Sequence, residues 1–364
     1  MCTKPLKGFK YGKTAKGKDN YIITSYKVDH LEVRPNGKIE KCYDNSIINR
    51  AITSFIDIPC GKCLECRLEY SKQWANRCML EAQQYENNCF VTLTYNDDHI
   101  PVNLFPSEYN IETGEPISYN ESFTLYKKDL QNFIKRLRSD LNRTGNYDKD
   151  GNSVYLKKTD KDYHDIKYFA CGEYGGKTKR PHYHLIIFNF KPNDLIPIGQ
   201  NISGDMYYKS PYLEKLWPNG FNLVANVTWN SCAYVSRYVT KKISNNVTDQ
   251  IYKNLNVDPE FIIMSKGIGK KWYILNNVCY ATFENNYIKT DEGARKISPN
   301  RYFDKLLDKE NPDLLCEIKK KRKDFQYYHK KIELQNTNLP YLDYLDIKES
   351  NLSNKTKSLR RKEL

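Results

Sequence analysis

The chain has 364 residues, and its 58 lysines and arginines exceed its 44 aspartates and glutamates, which gives a formal net charge of +14. No apolar run approaches the length of a transmembrane helix, and the first residues lack the apolar segment of a secretory signal, so we expect no membrane association. The chain also has 30 tyrosines, 14 phenylalanines and 4 tryptophans, whose rings can stack on unpaired bases while basic side chains contact phosphates. This composition favours a protein that binds single-stranded DNA. Charge alone does not exclude a basic protein whose lysines are simply solvated.

The N-terminal segment is rich in cysteine. Cys60, Cys63 and Cys66 form two overlapping Cys-x-x-Cys steps, a spacing close to that of structural zinc ligands. Either Cys2 or Cys42 could supply a fourth thiolate. The alternative is a group of reduced thiols without metal, because the spacing departs from that of paired zinc fingers. The chain has 11 cysteines, an odd number, and no secretory signal, so we expect the protein in a reducing cytoplasm.

Patterns of apolar residues predict the core elements in chain order. Helices are expected over residues 64–84, 124–141, 212–217, 230–242 and 300–335, and core strands over residues 89–95, 166–172, 182–190 and 221–229. We expect an irregular surface loop over residues 101–122 and either a helix or an extended piece over residues 259–264. The basic side of the 124–141 helix is either solvated or follows phosphates. The basic, glycine-containing segment 265–273 either touches DNA or forms a plain turn.

Two histidines lie in the apolar, β-branched segment 181–188, which predicts a buried strand. His182 and His184 are two residues apart, so a strand presents both imidazoles on one face. Glu173 follows the strand-like stretch 166–170, and the glycines after it indicate a hairpin that returns the chain beside the histidines. Two imidazoles and a carboxylate suit a divalent metal. An isolated His-x-His pair is more often chance, so this interpretation depends on a second motif.

The second motif is the helical segment 230–242, which Asn230 or Ser231 can cap. Tyr234 and Tyr238 are four residues apart and share a helix face. Lys241 follows Tyr238 by three residues and Lys242 follows it by four, which places both cations near the second phenol. Taken alone, the pair of tyrosines could simply pack on the sheet.

Together the two motifs resemble those of replication initiators of the HUH endonuclease superfamily. The resemblance is strongest to the rolling-circle initiators of small single-stranded DNA bacteriophages, the microvirus and gokushovirus group. Three segments carry it in family order, residues 90–95, 172–184 and 234–242. The resemblance implies an α+β fold in which a central antiparallel sheet of about five strands is flanked by helices, as in an RRM-like palm. A small cysteine-rich N-terminal segment and a helical C-terminal extension complete the chain.

The family chemistry implied is sequence-specific nicking and joining of origin DNA for rolling-circle replication, through a metal-assisted 5′-phosphotyrosine intermediate with two alternating tyrosines. The implied catalytic residues are Tyr234, Tyr238, Lys241 and Lys242, and the implied ligands of Mg²⁺ or Mn²⁺ are His182, His184 and Glu173. Related initiators often begin with Met-Cys, which favours Cys2 as the fourth ligand of a structural Zn²⁺. The implied segments are a cysteine-rich part with its leading helix (1–85), an endonuclease core (86–250), an accessory region (251–335) and a basic, flexible tail (336–364).

The expected partners are single-stranded origin DNA and circular viral replicative-form DNA, in the cytoplasm of a bacterial host. A host helicase and polymerase are expected as well, because the sequence contains no nucleotide-binding motif with which to unwind DNA. Two alternatives stay open, a plasmid-type initiator or relaxase, and a non-catalytic zinc-containing protein that binds single-stranded nucleic acid. Relaxases usually place their tyrosine ahead of the histidine motif, whereas here it follows.

Overall fold

The computed structural model describes residues 2–15, 17, 19–149, 151–201, 204–237, 246–282, 287–290 and 293–357, with side chains except at 246–249 and 277–282. The chain divides into two compact units. The smaller unit combines the described residues up to Glu69 with those from Asp324 onwards, and the larger unit spans Tyr70–Lys323. The division into four segments predicted from the sequence stays a prediction. None of the described helices is long and apolar enough to cross a bilayer.

The described residues form nineteen strands and nine helices. The strands are β1 Leu6–Lys13, β2 Asp19–Ser25, β3 His30–Val33, β4 Ile39–Cys42, β5 Arg50–Ile52, β6 Phe55–Ile58, β7 Asn88–Tyr95, β8 Val102–Tyr109, β9 Pro116–Phe123, β10 Arg143–Tyr147, β11 Ser153–Tyr155, β12 Lys167–Tyr174, β13 Pro181–Phe188, β14 Ile196–Gln200, β15 Met206–Lys209, β16 Gly220–Ala225, β17 Phe261–Met264, β18 Tyr287–Thr290 and β19 Gly293–Lys296. The helices are α1 Leu64–Ala82, α2 Lys127–Leu141, α3 Pro211–Leu216, α4 Trp229–Ser236, α5 Asn246–Asn254, α6 Lys270–Thr282, α7 Arg301–Glu310, α8 Pro312–Gln335 and α9 Tyr341–Lys355.

The larger unit is built on a seven-stranded antiparallel sheet with the order β14-β15-β16-β7-β13-β12-β17. This confirms an α+β fold with a central antiparallel sheet. The sheet has seven strands rather than about five, because the β14–β15 hairpin extends one edge beyond the predicted core strands. In the pairing of β12 with β13, Glu173 lies opposite His182 and Cys171 lies opposite His184.

Helices cover both faces of this sheet. On one face, α2 and α3 bury their apolar residues with Tyr183 and Leu185 of β13. On the other face, α1, α4, α6 and α7 pack against Phe169 of β12 and Ile186 of β13. Because side chains alternate along a strand, His184 projects to the second face together with Ile186. The sheet therefore sets the direction of the histidines through the burial of their neighbours.

The smaller unit contains two three-stranded sheets, β2-β1-β6 and β4-β3-β5, and a small core of Phe9, Val28 and Leu31. Helix α9 belongs to this unit and confirms the expected helical C-terminal extension. Its residues lie where the sequence predicts a flexible tail. The difference has two causes in the unit itself: Leu345 is fully buried, and Lys348 of α9 pairs with Glu333 of α8.

A second difference concerns residues 101–122, where an irregular loop is expected and the hairpin of β8 and β9 is found. The turn is fixed by Asn110, whose side-chain oxygen accepts hydrogen bonds from the backbone amides of Glu112 and Thr113 at 2.8 and 3.2 Å. Gly114 supplies the left-handed conformation, with φ of 72°. Most side chains on both strands are partly or fully exposed, so the sequence lacks the alternation that marks a half-buried strand.

Candidate metal centre with an adjacent tyrosine

The predicted hairpin brings His182, His184 and Glu173 together on one face of the sheet. The Nε2 atoms of both histidines lie 2.8 Å from the same carboxylate oxygen, Glu173 Oε1. Glu173 is fully buried, His184 is nearly so, and the His182 side chain is 18% exposed. The group is thus closed on the protein side and reachable from solvent next to His182.

The outer nitrogens of the two imidazoles are held by groups that define how the rings point. His182 Nδ1 lies 3.1 Å from the carbonyl oxygen of Arg180, which can only accept, so Nδ1 carries the proton. His184 Nδ1 lies 2.9 Å from the hydroxyl of Thr92 on β7. A hydroxyl can accept the same kind of hydrogen bond. With the outer nitrogens held in this way, both Nε2 atoms face the carboxylate, and a bound cation would replace their hydrogen bonds to Glu173 with metal–ligand bonds.

The electrostatics of the group agree with its geometry. Burial alone would raise the pKa of Glu173, but the hydrogen bonds and charge of His182 and His184 hold that pKa well below its ordinary range. The carboxylate is therefore ionised at neutral pH. Two imidazole nitrogens and one carboxylate form a donor set that fits a divalent cation, Mn²⁺ more readily than Mg²⁺, which prefers oxygen.

Helix α4 positions the Tyr234 side chain beside the two histidines and Glu173. Its first turn is a capping box in which the amide of Ser231 donates to Thr228 Oγ1 at 3.1 Å and the amide of Thr228 donates to Ser231 Oγ at 2.9 Å. The N-cap is therefore Thr228, not Asn230 or Ser231 as the sequence indicates. The Tyr234 hydroxyl donates to Glu173 Oε1 at 3.0 Å and lies 3.3 Å from His184 Nε2.

Rings on either side fix the position of the phenol. The His184 and Tyr234 rings meet edge to face, with centroids 4.9 Å apart. Phe90 packs edge to face with Tyr234 at 6.3 Å and stacks on His184 at 5.7 Å. The guanidinium of Arg237 lies 5.4 Å from the centre of the Tyr234 ring. The three aromatic groups thus form a packed cluster, which limits the rotamers open to the tyrosine.

The remaining predicted residues of this site lie outside the described residues. These residues are Tyr238, Lys241 and Lys242, and their roles stay predictions. Conversely, the sequence motifs assign no role to Thr92 or to the Arg180 carbonyl. Thr92 belongs to the motif strand 90–95, but its place beside His184 follows from the register of β7 against β13, which spacing along the chain does not reveal.

The four cysteines singled out from the sequence also come together, in the smaller unit. The sulfur atoms of Cys2, Cys60, Cys63 and Cys66 all lie within 4.8 Å of one another, and those of Cys2 and Cys63 are 3.7 Å apart. Zinc–sulfur bonds of ~2.3 Å place the corners of a tetrahedron ~3.8 Å apart. Cys42, the other candidate ligand, belongs instead to a different group with His30 and Glu32.

Backbone amides support the cysteine group. The amides of Lys62 and Cys63 donate to Cys60 Sγ at 3.4 and 3.2 Å, and the amide of Cys60 donates to Cys2 Sγ at 3.3 Å. Burial raises the pKa of Cys2 to about 11. It would also raise the pKa of Cys63, but hydrogen bonds from Thr3 and Cys66 lower it to about 6. The lowered pKa of Cys63 favours its thiolate, which is the form that binds zinc.

Glu32, by contrast, is engaged as a loop anchor. Its carboxylate accepts hydrogen bonds from the amide of Ile48 at 2.6 Å and from the side chain of Asn49 at 2.9 Å. These bonds lower the pKa of Glu32 to about 2. The carboxylate stabilises the chain around residue 48, and this accounts for its burial without a metal.

Comparison with known proteins places the two motifs in one family. Residues 88–243 match the family described as Replication-associated protein ORF2, a span that begins at β7 and includes the histidine and tyrosine motifs. The chain is 33% identical over 335 residues to Replication-associated protein ORF2 of Spiroplasma virus 4, an alignment that covers 90% of each protein.

Two further relatives come from bacteriophages. The chain is 32% identical over 282 residues to Replication-associated protein VP4 of Bdellovibrio phage phiMH2K, which covers 77% of this chain and 76% of that protein. It is 32% identical over 192 residues to Replication-associated protein ORF4 of Chlamydia phage 1, covering 51% of this chain and 38% of that protein. No solved structure matches the chain.

Proposed function

This chain belongs to the family of replication-associated proteins that includes those of Spiroplasma virus 4 and the phage phiMH2K, and from that premise we propose that it is a replication initiator with an HUH-type endonuclease core. Its reaction is sequence-specific nicking and joining of origin DNA during rolling-circle replication. One observation carries the proposal. The hydroxyl of Tyr234 lies within 3.3 Å of both a buried carboxylate and an imidazole, in a group suited to a divalent cation.

Tyr234 is the nucleophile. Its oxygen forms a bond to the phosphorus of the scissile phosphodiester, and the bond from phosphorus to the 3′ oxygen breaks. The products are a 5′-phosphotyrosine link and a free 3′-hydroxyl, so the proton lost by the phenol balances the one gained by the leaving oxygen. A phenol titrates near pH 10 and is a weak nucleophile at neutral pH. Glu173 Oε1 accepts the hydrogen bond of the Tyr234 hydroxyl and so fixes the direction of its oxygen.

His182, His184 and Glu173 would hold the Mg²⁺ or Mn²⁺ that polarises the scissile phosphate as a Lewis acid. Thr92 and the Arg180 carbonyl keep the Nε2 atoms of the two histidines directed at the centre. Burial of Glu173 excludes water from one side of the group, which strengthens its electrostatic interactions. The protein thus supplies ligand orientation and a low-dielectric wall.

The second tyrosine gives the reaction its cycle. In this proposal Tyr234 and Tyr238 alternate, so that one holds the 5′ end while the other cuts the regenerated origin. Lys241 and Lys242 stabilise the charge that develops on the phosphate. The DNA partners are single-stranded origin DNA and the circular replicative form. In the bacterial cytoplasm a host helicase unwinds the DNA and a host polymerase extends its free 3′ end.

The experiment that tests this function is the trapping of a covalent adduct. Purified protein is mixed with Mn²⁺ and single strands from the origin region of its own viral genome, and denaturing gels are searched for DNA that stays attached. Peptide mapping should place the link on the peptide with Tyr234 or Tyr238, and EDTA should abolish it. A salt-sensitive mobility shift without any adduct would reject nicking in favour of the non-catalytic binding protein.

We also propose that the four cysteines hold a structural Zn²⁺. The support is the close approach of the four sulfur atoms, which all lie within 4.8 Å of one another, and the amides that donate to Cys60 and Cys2. Four thiolates fill the coordination of zinc and leave no position for a substrate, so the ion stabilises the fold. Elemental analysis should find about one zinc per chain, and a content far below this would reject the site.

A further inference from the structure

A group of four lysines, the lysine site, lies in the larger unit at the opposite end of β12 from Glu173. Lys167 begins this strand and lines a concavity of about 330 Å³ with Lys266, Lys270 and Lys271. Lys167 and Glu173 are six residues apart on one strand, so they share a face of the sheet and are separated by roughly 20 Å. The concavity is therefore distinct from the metal centre.

Buried groups hold the turn that presents these lysines. Glu81 is fully buried, accepts from Lys167 Nζ at 2.6 Å and from the amide of Gly269 at 2.5 Å. Arg77 adds a hydrogen bond of 2.9 Å to the carbonyl of Ile268. Gly269 has φ of 79°, and a Cβ atom there would lie 3.2 Å from the Phe303 ring. The shape of the turn is thus set before any ligand arrives.

Among the described residues, a carboxylate neutralises one lysine of the site, and the Lys271 ammonium lies 4.8 Å from the centre of the Tyr85 ring. Glu81 neutralises Lys167, whereas Lys266, Lys270 and Lys271 are exposed. No carboxylate in the described part of the chain lies within ion-pair distance of these three. Cations held around one concavity repel each other, a cost that a bound anion removes.

The rim of the concavity indicates what kind of anion fits. Ile274 and Leu275 line it and are 58% and 68% exposed. They offer apolar contact to sugars or bases beside the phosphates. The described residues that line the concavity include no amide or hydroxyl side chain with which to recognise a particular base, and lysines act on phosphates as point charges. Such a surface suits a backbone of any sequence.

We propose that this lysine site binds the phosphodiester backbone of single-stranded DNA away from the nicking centre. It rests on the proposed function only in taking DNA as the partner. Each phosphate that a lysine neutralises contributes about 0.7 to the slope of log K against log salt for a single strand. Three lysines should therefore account for a slope of about 2.

The test compares two triple variants of the full chain. Lys266→Gln/Lys270→Gln/Lys271→Gln removes the exposed lysines of the site. The matched control removes three exposed lysines of α2, on the opposite face of the sheet: Lys127→Gln/Lys128→Gln/Lys135→Gln. Binding of an oligothymidylate of roughly 30 nucleotides is measured at several salt concentrations. We expect the first variant to lower the slope by about 2 and the control to leave it unchanged.

Other outcomes reject the proposal. If the slope fell equally in both variants, DNA binding would depend on net charge alone. If it fell in the control only, the strand would bind on α2. Thymidine monophosphate is a free source of the same phosphate chemistry. If it raises the melting temperature of the wild type and not of the lysine variant, and the slope is unchanged, the site takes nucleotides instead of DNA.

The proposal fails separately from the nicking function. The lysine variant keeps Tyr234 and its neighbours, so at saturating protein it should still form the covalent adduct. If wild-type protein forms the adduct while the slope is unchanged in the lysine variant, the lysine site is rejected and nicking stands. If the slope falls but wild-type protein forms no adduct, nicking is rejected and the lysine site stands. An unchanged melting temperature of each variant shows that it is folded.

Discussion

The two candidate metal groups of this chain are built from similar sequence signals and differ in what surrounds them. In the larger unit, two imidazoles and a carboxylate converge beside the hydroxyl of Tyr234. In the smaller unit, four thiols converge on each other. Nitrogen and oxygen donors from three residues leave coordination positions for a substrate, whereas four thiolates fill a tetrahedron. Under the proposed function, the number and type of donors thus separate a reactive centre from a structural one.

The two groups also differ in how they are assembled. The histidine group depends on β7, β12, β13 and α4, which come from distant parts of the chain and meet only in the folded sheet. Three of the four cysteines lie within seven residues and are ordered by local amides. Substitutions at the histidine group should therefore affect chemistry, and substitutions at the cysteine group should affect stability.

The largest effect is expected for Glu173→Gln, which keeps the size of the side chain and removes its charge. A metal acting as a Lewis acid contributes several kcal/mol to the transition state, and each ~1.4 kcal/mol is tenfold in rate. The initial rate of adduct formation with Mn²⁺ should fall about 10³-fold, while the zinc content stays the same. A fall of less than tenfold would remove the distinction between a reactive and a structural group.

A smaller loss is expected for Tyr234→Phe, because Tyr238 provides a second nucleophile. The rate of nicking should fall about tenfold, which corresponds to ~1.4 kcal/mol of the activation free energy, and the adduct should map to the Tyr238 peptide alone. The double variant with Tyr238→Phe should form no adduct. The control Tyr168→Phe removes the same atom from the opposite face of the sheet and should retain full activity. An adduct in the double variant would place the nucleophile elsewhere.

Much of the histidine group was predictable because its signals are local. Alternation in β13 placed His182 and His184 on one face, and the glycines after Glu173 indicated the hairpin. The amphipathic period likewise predicted α2, whose apolar residues are buried on one side. In each case a few consecutive residues decide between burial and exposure, so a pattern of short range is sufficient.

The parts that escaped prediction depend on information outside such patterns. The β8–β9 hairpin is exposed on both faces, so neither a period of two nor one of 3.6 marks it. Thr92 contacts His184 across the β7–β13 pairing, and a shift of one residue would turn Thr92 to the other face. Cross-strand register is set by packing of the whole sheet, which the spacing of residues along one strand does not contain.

Thr92→Val gives a more moderate test of the same group. Valine keeps the shape of threonine but cannot accept the hydrogen bond from His184 Nδ1. Loss of a partner that orients a metal ligand typically weakens metal affinity about 10–100-fold. The Mn²⁺ concentration for half-maximal adduct formation should rise by this factor, with a nearly normal rate at saturation. The control is Thr94→Val, on the same strand and face. If both variants behave alike, the hydroxyl of Thr92 does not orient His184.

The smallest effect on nicking is expected for Cys63→Ser, although it should change the smaller unit most. Serine is a poor zinc ligand, so the bound zinc should be lost. Without it, the residues up to Glu69 and from Asp324 onwards should become sensitive to protease, while the larger unit stays resistant. Because the proposed reaction uses groups of the larger unit only, the rate of adduct formation at saturating DNA should fall less than about tenfold.

The matched control for this variant is Cys316→Ser, an exposed cysteine of the larger unit. It should keep both the zinc and the protease pattern. Zinc must displace protons from the thiols, since burial raises the pKa of Cys2 to about 11, so zinc retention should weaken as pH falls. If Cys63→Ser abolished nicking as completely as Glu173→Gln does, the cysteine group would be required for the chemistry. The contrast between a reactive and a structural centre would then not describe this protein.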